Sequence, residues 1–165
     1  AWKNEWTKKL LYDWALEPVN LEEIDIEGIK TVMRNEGKKL RLVNIWASWC
    51  GPCVIEFPEL VTINRMYRNR DFEFISISTD KLSKKETGLD LLKKSEASGQ
   101  NYIFTGGKIY DLIDIVDIDW QGALPYTVLI APGGEIIYKI QGSIDPGVLK
   151  KVIVSYLGRY YADDK

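Results

Sequence analysis

The sequence predicts an α/β fold in which a βαβ half is followed by a ββα half around one central sheet. Three observations carry that expectation. An apolar, β-prone run (Leu40, Leu42, Val43, Ile45, Trp46) gives way to a helical pattern that begins at Pro52. A second strand-like run at 71–79 follows that helix, and two runs joined by a helical crossover pair in parallel. Nearer the C-terminus, two more runs flank Pro132-Gly133-Gly134 as an antiparallel hairpin and lead into an amphipathic helix.

A chain of 165 residues buries one substantial core without staples. It divides into an N-terminal extension, 1–19, and a single domain, 20–165. In the extension Trp6, Leu10, Leu11 and Trp14 recur at near-helical spacing until Pro18 interrupts, which predicts a short amphipathic helix. Its tryptophans, Trp2 among them, form an extra packed layer, a docking surface for a partner, or the end of an upstream domain. Between 20 and 35, Ile26, Ile29, Val32 and Met33 mark a core-facing helix that Gly37 is placed to end, with Met33 as packing.

The first central strand, 39–46, is apolar enough for burial on both faces. Asn44 lies on it, and a neutral amide there is a hydrogen-bonded structural residue that cannot take a proton. In the helix at 52–70, Pro58 removes a hydrogen bond and is expected to kink the axis. Glu56 follows Cys53 by one turn between Ile55 and Phe57. It reads either as a carboxylate whose pKa burial raises or as a solvated helix glutamate.

Beyond the second strand, Leu89, Leu91 and Leu92 mark a helix over 83–98, and a short apolar run occupies 101–104. Gly106-Gly107-Lys108 opens a helix through Leu112 and Ile113. It lacks the earlier glycine and the Ser/Thr of a phosphate loop, which argues against nucleotide binding. Asp111, Asp114, Asp117 and Asp119 form an acidic run, either a solvated face or a groove rim that favours basic partners, without the glycine and spacing of a calcium loop. After the hairpin runs at 126–130 and 135–140, Asp145 is placed to cap a last helix. Val148, Leu149, Val152, Ile153, Tyr156 and Leu157 fall on one side of it.

The chemistry lies in Trp49-Cys50-Gly51-Pro52-Cys53, where strand hands over to helix. A helix N-terminus exposes unpaired N–H groups and the positive end of the macrodipole, both of which stabilise a thiolate, so Cys50 is expected to be the more acidic thiol. Two cysteines across a first helical turn approach closely enough for a disulfide, so one can attack and the other resolve. Gly51 permits the tight entry, and Pro52 suits a position whose N–H has no helical partner. Zinc sites also use this spacing, but a tetrahedral site needs four ligands and the chain has two cysteines and no histidine. An inert structural disulfide is the other plain reading, although so short a loop is a poor staple.

These residues resemble the active site of thioredoxins. Asn44-Ile45-Trp46-Ala47 before the cysteines and Glu56-Phe57-Pro58 after them resemble the bacterial extracytoplasmic TlpA/ResA group, and the likeness covers about 39–151. Leu124-Pro125-Tyr126-Thr127 resembles the family's cis-proline loop. The resemblance implies a thioredoxin fold and thiol–disulfide oxidoreductase activity, with Cys50 as nucleophile and Cys53 as resolving thiol. Glu56, Trp49, Gly51 and Pro52 would tune the site, while Trp49, Leu124, Pro125 and Tyr126 would meet substrate. A cis proline at 125 would leave the preceding carbonyl and N–H free to pair with an extended client strand. Thioredoxins carry aspartate where this chain has Asn44, so the acceptor of the resolving thiol's proton must be sought elsewhere.

The resemblance further implies no cofactor beyond the Cys50–Cys53 disulfide, a client protein, an upstream thiol electron donor, and an extracytoplasmic or periplasmic location in a bacterium. Gly-Pro between the cysteines matches the reducing thioredoxins. Isomerase or oxidase activity, or a client-binding module without turnover, stand as alternatives. A net charge of -2 gives no nucleic-acid or basic membrane surface. No apolar run approaches the ~20 residues of a membrane helix, and no signal-peptide pattern opens the chain. It reads as a mature or trimmed soluble portion, compatible with a membrane anchor upstream of Ala1. With no cysteines beyond the redox pair, composition does not choose between cytosol and periplasm.

Overall fold

The computed structural model describes residues 16–158. Its six strands are β1 (Glu22–Ile24), β2 (Leu40–Trp46), β3 (Phe72–Ser78), β4 (Gln100–Phe104), β5 (Tyr126–Ile130) and β6 (Ile136–Gln141). They form one sheet in the order β1-β4-β3-β2-β5-β6. Strands β1 to β4 run parallel, and β5 and β6 are the antiparallel pair, with β5 against β2. Among the described residues five α-helices cover the sheet: α1 (Ile26–Arg34), α2 (Gly51–Tyr67), α3 (Lys85–Lys94), α4 (Ile109–Val116) and α5 (Pro146–Leu157). This is the predicted βαβ–ββα plan, a thioredoxin fold, with two strands, β4 and β1, extending the sheet beyond β3.

Strand alternation divides the core into two layers. Leu40, Leu42 and Trp46 of β2 face α2, α3 and α5, meeting Phe57, Leu60, Leu92, Leu149 and Ile153. Val43 and Ile45 face the other way, onto Ile29 and Val32 of α1 and Leu112 and Val116 of α4. Asn44 shares the even-numbered face with Leu42 and Trp46. That parity alone directs its amide beneath the helix that carries the cysteines.

Several expectations shift. The stretch expected as helix from 20 begins instead as β1, a three-residue strand that pairs in parallel with β4, and the 101–104 run is that β4. The first helix stops at Asn35, before Gly37. Asn35 takes the left-handed conformation at φ 41°, and its side-chain amide donates to Lys39 and Ile130 carbonyls at 2.9 and 3.0 Å. Met33 packs against the second core layer, as expected. Helix α2 runs through Pro58 as one helix to Tyr67, and α3 ends at Lys94. On α5 the buried residues are Leu149 and Ile153, whereas Val148 and Tyr156 are exposed, so the apolar side is narrower than the sequence pattern. Asp145 caps it as predicted, accepting the Val148 N–H at 3.2 Å.

The predicted helix of the N-terminal extension lies outside the described residues. Where the described chain begins, Glu17 pairs with Arg68, the C-cap of α2, at 2.7 Å and accepts the Ser98 hydroxyl at 2.6 Å, which ties 16–19 to the domain.

Candidate active site

Strand β2 is the central support of the site. It lies between β3 and β5, and at its C-terminal end the chain turns through Ala47, Ser48 and Trp49 into α2. Two contacts hold that turn. The Cys50 N–H donates to the Ala47 carbonyl at 3.1 Å. The Ser48 N–H donates to both carboxylate oxygens of Asp80, at 3.0 and 3.1 Å. Asp80 is itself buried, just past β3, and also accepts the Ser78 hydroxyl at 3.0 Å. Sequence reasoning passed over Asp80; its signal was a carboxylate just beyond a parallel strand, level with the turn that follows β2.

Cys50 is the N-cap of α2, and its Sγ accepts the Cys53 N–H at 3.3 Å. The two form a disulfide with their Cα atoms 5.3 Å apart. Cys50 retains 5% exposure and Cys53 none, which leaves the first sulfur as the one a partner can approach. Pro52 lies in the first turn, where its missing N–H costs nothing. The steric argument for Gly51 fails. Its φ is not positive and a Cβ there meets open space, because the loop enters the helix from solvent rather than across packed backbone.

Around the cysteines, Trp49 is 74% exposed. The Leu124–Pro125 peptide is cis, as the resemblance implied. Because Tyr126 pairs with Ile45, Pro125 stands level with the end of β2, beside the turn that carries the cysteines. Trp49 and Leu124 line a cleft of about 690 Å³ together with Asp80, Leu82, Phe104 and Ile109. Tyr126, expected to meet substrate, is fully buried. Strand alternation turns its ring onto the α4 face of the sheet, where it stacks on Trp120 at 4.9 Å.

Glu56 is buried on α2, though not between Ile55 and Phe57. Ile55 is 80% exposed, since adjacent helical residues point about 100° apart. The partners come from elsewhere: Oε2 accepts the Ile144 N–H at 2.8 Å, and Oε1 lies 3.4 Å from the Asn44 amide nitrogen. Burial pushes the Glu56 carboxyl above its ordinary pKa, and the Ile144 and Asn44 hydrogen bonds only partly offset it. Asn44 is wholly buried and also donates to the Thr127 hydroxyl at 3.0 Å, the structural role expected of it. Ile144 carried no sequence signal because it acts through its backbone, and Thr127 stands in the Leu124-Pro125-Tyr126-Thr127 stretch without a mark of its contact with Asn44.

The acidic run is largely consumed within the fold. Asp111 accepts the Lys108 N–H at the start of α4, and Asp117 pairs with Lys139 at 2.8 Å. Asp114 and Asp119 remain exposed. Among the described residues there is no group of three or more His, Cys, Asp or Glu placed to hold a metal ion.

A family model, Redoxin, matches residues 27–153, which spans both halves of the sheet and the cysteine pair. The chain belongs to the Redoxin family. Among its relatives, the thiol-disulfide oxidoreductase ResA of Oceanobacillus iheyensis is 28% identical over 137 residues, covering 80% of this chain and 63% of that protein. The thiol:disulfide interchange protein HelX of Rhodobacter capsulatus is 26% identical, covering 82% and 70%. This redoxin thus spans about two-thirds of the length of such relatives. In fold it is similar to a thiol:disulfide interchange protein from Bacteroides sp., with a TM-score of 0.60, 19% identity and coverage of 87% and 88%. It is similar too to the thioredoxin domain of a Bacteroides vulgatus thiol-disulfide oxidoreductase, with a TM-score of 0.61, 17% identity and coverage of 76% and 82%. The activity expected from the cysteines agrees with the names these proteins carry.

Proposed function

We propose that this redoxin is a thiol–disulfide oxidoreductase that reduces disulfides in client proteins. The observation that carries the reading is the position of Cys50. It is the N-cap of α2, slightly exposed and disulfide-bonded to a fully buried Cys53. In the reduced protein the Cys50 thiolate, stabilised by the helix terminus and the Cys53 N–H, attacks one sulfur of a client disulfide. The client's S–S bond breaks, its other sulfur leaves and takes a proton, and a mixed disulfide forms at Cys50. Cys53 then loses its proton, attacks Cys50 Sγ and releases the second client thiol. Two electrons and two protons have passed to the client, and the Cys50–Cys53 disulfide remains.

Glu56 is the carboxylate suited to receive the Cys53 proton. It lies one turn along the same helix and is held by Ile144 and Asn44, with a pKa that burial raises towards a thiol's. The client lies in the cleft between Trp49 and Leu124, its extended backbone running alongside Leu124–Pro125. No cofactor beyond the cysteine pair is needed. An upstream dithiol donor regenerates the reduced form, in an extracytoplasmic compartment of a bacterium.

The deciding measurement is the reduction potential of the Cys50–Cys53 couple, equilibrated with dithiothreitol or glutathione and followed by the fluorescence of the adjoining Trp49. A value near or below ~−250 mV supports the reductase, thioredoxin itself lying near ~−270 mV. A value above ~−190 mV makes the protein an oxidant or isomerase and overturns the proposal. Trapping with Cys53→Ala, which stops resolution, should capture clients as mixed disulfides at Cys50. A single stoichiometric partner with no turnover by the wild type would indicate a docking module.

A further inference from the structure

Between α4 and β5 the chain crosses 117–125 without regular structure, yet it is fastened along its length. At its start, one carboxylate oxygen of Asp117 receives two donors, the Tyr126 hydroxyl at 2.5 Å and the Lys139 ammonium at 2.8 Å. Its other oxygen accepts the Asp119 N–H at 3.0 Å. Lys139, on β6 where it pairs with Val128, also lies 3.7 Å from Asp119. In the middle, Gln141 of β6 accepts the Gln121 N–H at 3.3 Å and donates to the Asp119 carbonyl at 3.4 Å. At the end, the Trp120 indole N–H donates to the Ala123 carbonyl at 2.8 Å, one residue before Leu124. Burial would raise the Asp117 carboxyl, but the Lys139 and Tyr126 hydrogen bonds outweigh it and hold it below its ordinary value, so it stays ionised in the pair.

We infer that Asp117 and Lys139 are positioning residues for client docking. Together they clamp the crossing segment to the β5–β6 hairpin and so hold the Leu124–Pro125 edge at a fixed distance from Cys50. The inference rests on the reductase reading, because it concerns how that site meets its substrate. The geometry separates two tasks. The clamp leads to the wall that an extended client backbone would follow, whereas the cysteines rest on the end of β2, the start of α2 and Asp80, to which neither Asp117 nor Lys139 hydrogen-bonds. A preformed wall lowers the ordering a client must impose, and a loosened one lowers the fraction of molecules ready to bind.

The test compares Lys139→Met, Lys139→Arg and Asp117→Asn with wild type on insulin and on a small aromatic disulfide, 5,5′-dithiobis(2-nitrobenzoate). Lys139 is half-exposed, so its variants fold even if the Asp117 variant does not. Lys139→Met and Asp117→Asn are expected to raise KM for insulin about three- to tenfold at unchanged kcat, the mark of a smaller docking-competent fraction. Lys139→Arg should restore it. The rate with the small disulfide and the Cys50–Cys53 equilibrium with glutathione should stay at wild-type values. An unchanged insulin KM in Lys139→Met, or equal losses on both substrates, would overturn the clamp. Failure of wild type to reduce either substrate would instead overturn the reductase reading on which it stands.

Discussion

The substitution Asn44→Asp tests the buried polar arrangement most directly. It replaces an amide nitrogen lying 3.4 Å from Glu56 Oε1 with a second carboxylate oxygen. At that separation two full negative charges in an effective dielectric of ~20 repel by about 5 kcal/mol, so the pair does not ionise together at neutral pH. It keeps a proton instead, as carboxylate dyads do. The unfolded chain ionises both groups near ~4, so above that the variant's native state binds about one proton more than its unfolded state. A folded-state pKa raised above the unfolded value gives stability that is complete below the unfolded pKa and is lost as pH rises. The slope is about 1.4 kcal/mol per pH unit, hence a loss of about 2.7 kcal/mol between pH 5 and pH 7 in the variant, which exceeds the loss in wild type by whatever Glu56 alone does not already cause. Urea unfolding at the two pH values measures it, with wild type subtracting the contribution Glu56 makes alone. A stability difference that is the same at both pH values would refute the reasoning. It would mean that the two groups are not held within repulsive distance.

Three further outcomes follow from the contacts above. Glu56→Gln keeps an acceptor for the Ile144 N–H and removes the titration, so its Tm relative to wild type should climb as pH rises above the ordinary glutamate value, where the raised wild-type carboxyl costs stability; a flat difference counts against a raised pKa. Asp80→Ala strips the acceptor from the Ser48 N–H and the Ser78 hydroxyl in a buried place. It should cost about 2–4 kcal/mol in urea unfolding, whereas a loss under ~1 kcal/mol would show that the turn before Cys50 is not held from β3. Arg68 and Ser98 hold Glu17 at about 2, against an ordinary 4.5, so the stability it contributes is present above pH 4.5 and lost as pH falls through 2. Glu17→Gln should therefore cost about 1 kcal/mol at pH 7 after allowance for solvent screening, with the cost shrinking as pH falls from 4.5 and vanishing below 2, by denaturant titration.

What the sequence made legible follows from the range over which each signal acts. Strands β2, β3, β5 and β6 announce themselves by local apolar runs and a Pro-Gly-Gly turn, and the cysteines by a strand-to-helix boundary. Strand β1 has no such pattern; Glu22–Ile24 is a strand because β4 lies beside it, and β4 follows it by some eighty residues. Asn35 ends α1 because its amide reaches carbonyls of Lys39 and Ile130, which a reading of turn propensity cannot foresee. At the site, Cys50, Cys53 and Glu56 were legible as types at a spacing. The groups that hold them, Asp80 and the Ile144 amide, come from strand ends and loops that only the folded sheet brings near. Tyr126 was misplaced because the motif fixes its backbone next to Pro125, while the side-chain direction follows from strand parity, set by register with Ile45.

Strand parity also explains why Asn44 and Glu56 form a coupled choice. The even-numbered face of β2 lies under α2, so residue 44 and the helical position one turn past Cys53 meet in one buried place, where two ionised carboxylates would repel. With the carboxylate on the helix, the strand must supply a donor rather than a second acceptor. Asparagine does so with one nitrogen shared between Glu56 and Thr127. An aspartate could reproduce that contact only by carrying the proton itself. On the proposed mechanism, the departure from the thioredoxin aspartate does not remove the proton acceptor from the site but assigns it to Glu56 on α2, where the Ile144 N–H holds the carboxylate and burial raises its pKa.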